Sequence, residues 1–191
     1  MDRSILRTFI AYVEDRPGVL NRVASLFRRR AYNIQSLTVG RTHQPGVSRL
    51  TMVMEADADG ARRLEANLYK LVNTLWVKDV THAPCVERDL ALIKVKVGAQ
   101  KRAEVLQLCE VFRARAVDVA PEALTIEITG TGDKIDGLLE VLRPFGIVEM
   151  VRTGMIVMTR GAEEAEFRFD SGAPRALDEG ASEKATGSFS E

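Results

Sequence analysis

The apolar residues of this chain change period several times, and each change marks an element. Ile5 to Val13 (ILRTFIAYV) is dense in β-branched and aromatic residues and predicts a strand. Pro17 and Gly18 break it. Beyond them Val19, Val23, Leu26 and Phe27 recur at three- and four-residue spacing while Asn21, Arg22, Ser25, Arg28 and Arg29 take the other side, which predicts a half-buried helix from about Pro17 to Arg30. Tyr32 to Arg41 reads as a second strand, Gln44-Pro45-Gly46 as a turn, and Val47 to Glu55 as the hairpin partner. A second helix opens at Asp57 to Gly60 and runs to about Thr74, with Leu64, Leu68, Leu71 and Val72 on its apolar face. A short strand from Trp76 to Thr81 closes the unit.

After His82-Ala83-Pro84 the same order begins again. Asp89 to Val97 predicts a strand, and Lys101 to Phe112 a helix with Val105, Leu108, Val111 and Phe112 apolar. Arg115 to Val119 and Leu124 to Thr129 form a hairpin around Pro121-Glu122. A helix from Asp133 to Leu142 and strands over Ile147 to Val151 and Met155 to Thr159 follow. The fold class is α+β: two ferredoxin-like βαββαβ sandwiches, each with its helices on one face of an antiparallel sheet. The expected domains are residues 1–83 and 84–161. From residue 162 to 191 Ala, Glu, Gly and Ser dominate and neither period persists, which predicts a disordered acidic tail.

Composition narrows the function. With 46% apolar and 28% charged residues, the 191-residue chain is an ordinary globular protein. Its net charge of zero argues against a nucleic-acid partner. No apolar run reaches the roughly 18 residues that cross a bilayer, and the N-terminus has no secretory or transit character, so a cytoplasmic protein without a membrane partner is expected. The tail holds eight acids and three bases, leaving a mildly basic body. Cys85 and Cys109 are too few for a disulfide framework and are expected as free thiols.

Catalytic chemistry needs convergent groups, and the chain is poor in them. His82-x-x-Cys85 lacks a second pair at zinc spacing, and no Ser/His/Asp set is visible, so no catalytic residue and no metal site is assigned. Gly130-Thr131-Gly132-Asp133-Lys134 suggests a phosphate loop but lacks the spacing and the final hydroxyl, and reads as a capped helix start. An acylphosphatase-like enzyme on this sandwich would use Arg16 and Asn33, but Asp15 repels a phosphate dianion and Pro17 removes a donor. RNA binding on the sheet needs exposed aromatics, which the third strand does not have.

What remains is the break between the first strand and first helix. Pro17 suits a first helical turn, and Gly18 leaves the first N–H groups uncovered, so the positive helix end is open to a carboxylate. With nothing bound, the same residues read as a strand-to-helix turn capped by Asp15. The words DRPGVLNRV and YNIQSLTV, then LYKLVNTLWVKDV, VERDLALIKVKV and TGTGDKIDGLLEVLRPFGIVEMVRTGMIVMTRG, resemble the small regulatory subunit of acetolactate synthase, whose first unit is an ACT amino-acid-sensing domain. The resemblance covers about residues 3 to 161.

It implies a non-catalytic subunit that activates a large catalytic subunit and makes it subject to feedback inhibition by valine, and by leucine or isoleucine, in branched-chain amino-acid biosynthesis. Thiamine diphosphate, Mg²⁺ and FAD then belong to the catalytic subunit, and this chain carries no cofactor. It also implies a homodimer through the ACT domains, with the effector where two of them meet. Gly18, Val19 and Leu20 supply amides for the carboxylate, Asp15 and Asn33 are polar partners, and Val19, Leu20 and Ile34 form the pocket wall. At Asp15 some members of the family carry an amide. A free-standing ACT sensor acting on another enzyme shares the same ligand residues.

Overall fold

The computed structural model describes residues 4–161; the tail predicted to be disordered lies outside them. The first unit runs β1 (Ile5–Glu14), α1 (Val19–Arg29), β2 (Ile34–Arg41), β3 (Val47–Ala56), α2 (Ala58–Tyr69) and β4 (Thr74–Asp79). The second runs β5 (Cys85–Lys96), α3 (Ala99–Val111), β6 (Arg115–Ala120), β7 (Ala123–Gly130), α4 (Gly132–Leu142) and β8 (Ile147–Arg152), with β9 (Ile156–Thr159) after it. The sheets are ordered β2-β3-β1-β4 and β6-β7-β5-β8, the same arrangement twice, and every pair is antiparallel. Two ferredoxin-like sandwiches result.

Alternation along each strand decides what is buried. Phe9, Ala11 and Val13 of β1 and Leu50, Met52 and Met54 of β3 face the helices, where Val19, Val23, Leu26 and Phe27 of α1 meet Leu64 and Leu68 of α2. The second core repeats this with Ala91, Ile93 and Val95 of β5 and Leu124, Ile126 and Ile128 of β7 under α3 and α4. Cys85 and Cys109 are free thiols, and burial pushes the Cys109 thiol up from its ordinary pKa.

Three differences between the expected and observed elements have a cause in hydrogen bonding or helix geometry. The second helix stops at Tyr69, not Thr74, because the Leu71 and Thr74 amides bond back to Leu68 and Leu71 carbonyls in tight turns. Val72 therefore sits outside the helix and is 70% exposed. In α3 the buried stripe passes through Val105 and Cys109 with Leu108 and Phe112 beside it, and Val111 lies well round the helix from Val105 and is exposed. Finally, β5 begins at Cys85 rather than Asp89, since Cys85 to Arg88 pair with β9.

That extra pairing has a structural result. β9 lies on the face of the first sheet away from its helices, where Val157 packs with Ile10 and Val80, and with Tyr12, Trp76 and Met155 around them. Arg49 donates to the Val157 carbonyl and stacks over Tyr12. The first sheet is thus covered on both faces.

Both first helices end alike. The Ala31 and Tyr32 amides bond to Arg28 and Phe27 carbonyls, and the Arg113 and Ala114 amides to Glu110 and Cys109 carbonyls. This is the Schellman closure, and it needs a left-handed residue. Ala31 (φ 55°) and Arg113 (φ 51°) occupy that position without being glycine. An L side chain there costs roughly 1–2 kcal/mol, partly offset by glycine's greater unfolded entropy. Ala31→Gly and Arg113→Gly are each expected to raise stability by roughly 1 kcal/mol, read as a higher urea midpoint at unchanged m-value.

Candidate functional site

The break after β1 is built by four residues. Arg16, Pro17, Gly18 and Val19 form a type II turn: the Val19 amide reaches the Arg16 carbonyl at 3.4 Å, and Gly18 has φ 83° and ψ −10°. Proline suits the second position of that turn, and glycine the third. Pro17 therefore precedes α1 rather than opening it, and Gly18 is its N-cap, with no side-chain cap bond. Asp15 does not cap the helix. Its carboxylate is 3.3 Å from Arg41 Nε at the end of β2, and its amide donates to the Gly46 carbonyl.

A polar scaffold holds this loop from below. Asn73, 8% exposed, accepts the Glu14 amide through its carbonyl and donates Nδ2 to Glu14 Oε2 at 2.7 Å; its Oδ1 receives Arg22. Arg16 pairs with the same Glu14 carboxylate at 3.3 Å. The turn is fixed by partnered polar groups, of which Asn73 is buried and Glu14 half-buried, while Asp15, Gly18 and Leu20 stay exposed above it. Among the described residues no acceptor takes the Gly18, Leu20 or Asn21 amide, and this positive helix end is suited to a carboxylate.

The remaining expected residues lie elsewhere. Register puts Ile34 opposite Met54, which is opposite Arg7, whereas Arg41 is opposite Ser48, which is opposite Val13. Asn33 and Ile34 thus sit at the far end of the sheet from Gly18, roughly 20 Å away at about 3.4 Å per residue. One chain does not bring the six expected residues together. It unites Asp15, Gly18, Val19 and Leu20; Val19 is buried under the helix, so only Leu20, 47% exposed, offers an apolar wall. Near Asn33 in the chain is a groove lined by Ser4, Arg30, Tyr32, Ala56, Asp57, Gly60 and Arg63, whose charges do not suit an aliphatic group.

Two residues of β2 were not expected from the sequence. Arg41 faces Asp15, and Val39, 45% exposed, shares the helix-side face of β2 with Leu37. Alternation within the second strand carried that signal, once its register was known. The Gly130 to Lys134 segment starts α4, but Thr131 makes no side-chain cap bond there; Lys134 Nζ instead holds the Thr129 carbonyl at 2.9 Å. Among the described residues no three His, Cys, Asp or Glu side chains gather as metal ligands, and no helix is long and apolar enough to cross a membrane.

Two ferredoxin-like units in tandem, the first with an open helix N-terminus after its first strand, define a protein of the ACT-domain class. Comparison with known proteins makes this specific. Residues 9–76 match the AHAS small subunit-like ACT domain, and residues 88–161 the small subunit of acetolactate synthase. A probable acetolactate synthase small subunit of Methanothermobacter thermautotrophicus is 44% identical over 80% of this chain and 91% of its own length. The acetolactate synthase small subunit of Mycolicibacterium smegmatis is 44% identical over 81% of this chain and 91% of its own length, and that of Mycobacterium bovis is 44% identical over 81% and 92%. The crystal structure of the small subunit from Thermotoga maritima superposes with a TM-score of 0.77 at 36% identity, over 83% of this chain and 99% of that one. The chain belongs to the acetolactate synthase small subunit family.

The turn itself is open to test. A Cβ at Gly18 meets no atom within 4 Å, so any cost of substitution is conformational. Gly18→Ala is expected to lose roughly 1–2 kcal/mol and Gly18→Asn clearly less, because Asn tolerates the left-handed region. Denaturant titration of the two variants checks the order.

Proposed function

We propose that this chain is the regulatory subunit of an acetolactate synthase: it binds a large catalytic subunit, raises its activity and makes it sensitive to valine, with leucine or isoleucine as related effectors. Thiamine diphosphate, Mg²⁺ and FAD belong, in this reading, to the partner. The observation that carries it is the exposed turn at Gly18, whose free amides face solvent beside the Asp15–Arg41 pair. A zwitterion fits that arrangement: amides for its carboxylate and an acid for its ammonium.

The reading also accounts for the distance to Asn33. β2 is an edge strand, and a second copy pairing with it antiparallel about a two-fold axis lays the start of one β2 beside the end of the other. Asn33 and Ile34 of each protomer then reach the Asp15, Gly18 and Leu20 of its partner, with Val39 and Arg41 between. Each dimer holds two such composite sites, and effector binding favours one arrangement of the dimer, shifting the bound catalytic subunit by about 1–3 kcal/mol of coupling. A free-standing sensor would share this site but not the second unit's match to the same subunit.

Isothermal titration tests it. The dimer is expected to bind a branched-chain amino acid but not serine, and Gly18→Asp and Asn33→Ala are each expected to abolish binding. Co-refolding the two variants is then expected to restore about one quarter of the sites, because half the dimers are mixed and each mixed dimer has one intact site. No recovery in the mixture would place both residues in one chain's site and sink the composite arrangement.

A further inference from the structure

The two units meet on the outer face of β2 through a short polar contact that the sensing reading does not use. Residues Thr153, Gly154 and Met155, between β8 and β9, cross that face. Thr38 Oγ1 donates to the Thr153 carbonyl at 3.4 Å, and the Met155 amide donates to Ser36 Oγ at 3.3 Å. Gly154 (φ 84°) permits the approach: a Cβ there would stand 2.7 Å from Ser36 Oγ and 2.9 Å from Thr38 Oγ1.

On its other side this segment is tied firmly into the second unit. The Thr153 amide donates to the Leu90 carbonyl at 3.0 Å, and Thr153 Oγ1 donates to Asp89 Oδ1 at 3.0 Å. Asp89, 9% exposed, also pairs with Arg152 at 3.1 Å. Arg152 continues to Asp136 at 2.9 Å and to the Gly132 carbonyl at 3.3 Å, in the first turn of α4. Hydrogen bonds and ion pairs therefore run without a gap from β2 to the α4 start.

What aims Ser36 and Thr38 at this segment is a β-bulge. The register between β2 and β3 shifts between Ile34 and Ser36. Without it, alternation would put Ser36 on the helix side with Ile34; with it, Leu37 packs into the helix-side core and Ser36 and Thr38 turn outward. The bulge adjoins Asn33 and Ile34. A ligand drawing on those two residues acts on the one place in β2 where register already slips, and a change of register there turns both hydroxyls away from Gly154.

We infer that the β2 bulge and the Ser36–Thr38 contact with Thr153–Met155 transmit effector occupancy from the first unit to the second. This rests on the effector reading above. Two further contacts between the units, Arg49 to the Val157 carbonyl and the Ile10–Val80–Val157 cluster, do not involve β2, so they hold the units together when the polar contact is cut.

The test is the double variant Ser36→Ala/Thr38→Val, with Gly154→Ala as a second, steric version. Valine affinity is measured by titration calorimetry on the full chain alone and on its complex with the cognate catalytic subunit. Coupling is reciprocal, so in the wild type the complex and the free chain are expected to differ in valine affinity by about 5-fold or more. In the double variant the free chain is expected to keep its affinity within about 2-fold while the difference between chain and complex falls below about 2-fold, and valine inhibition of the complex is lost with it. A double variant that keeps the wild-type difference overturns the inference alone. A wild-type chain and complex that both fail to bind any branched-chain amino acid overturn the effector reading, and the inference with it.

Discussion

Chain direction is the constraint on which the rest of this structure depends. β1 and β2 run the same way on either side of β3, so the end of β1 and the start of β2 must lie at opposite ends of the sheet. Residues close in sequence across α1 are thereby separated by the full length of a strand. The free amides of α1 lie at one end and Asn33 at the other, so one chain alone does not bring both kinds of group to one place, and the composite site proposed above needs a second copy reversed along the open edge of β2.

The two units share this architecture without sharing sequence. Each has the same strand order, each ends its first helix in a left-handed residue, and each buries one face of its sheet beneath two helices. They differ in what covers the other face. In the first unit β9 and the Thr153–Met155 segment close it, whereas in the second the outer face of β5 and β8 presents Lys94, Glu149 and an exposed Val151. The first unit also has the Pro-Gly turn, while the second starts its first helix at Gly98 in extended backbone with no comparable bend.

Most of the fold was legible in the sequence because period and breakers agree locally. The α1 stripe of Val19, Val23, Leu26 and Phe27 is the buried face observed, and the hairpin around Pro121 falls where its residues place it. Errors came where tertiary contacts decide. Val72 and Val111 are apolar at near-helical spacing, yet one lies past a helix end fixed by turns and the other off the buried stripe. β5 gained four residues from pairing with β9, a strand seventy residues away that no local pattern announces. At the break after β1, Gly18 was legible from its Pro-Gly context, whereas Asn33 lies at the far end of the sheet in one chain. The pairing of Arg41 with Asp15 was not legible, because the place of Arg41 depends on a register that a bulge resets.

The covering of the first sheet bears on how the chain is made. Ile10, Trp76 and Val80 belong to elements complete by residue 80, but Met155 and Val157, which close over them, come about eighty residues later. At about 5–20 residues per second of synthesis, the finished first sandwich waits roughly 4–16 s with that apolar face bare to solvent. During that interval it is a folded unit with an unguarded edge at β2 and an uncovered face behind it. Closing of the outer face is therefore a late event in the making of the chain, and it waits on the second unit.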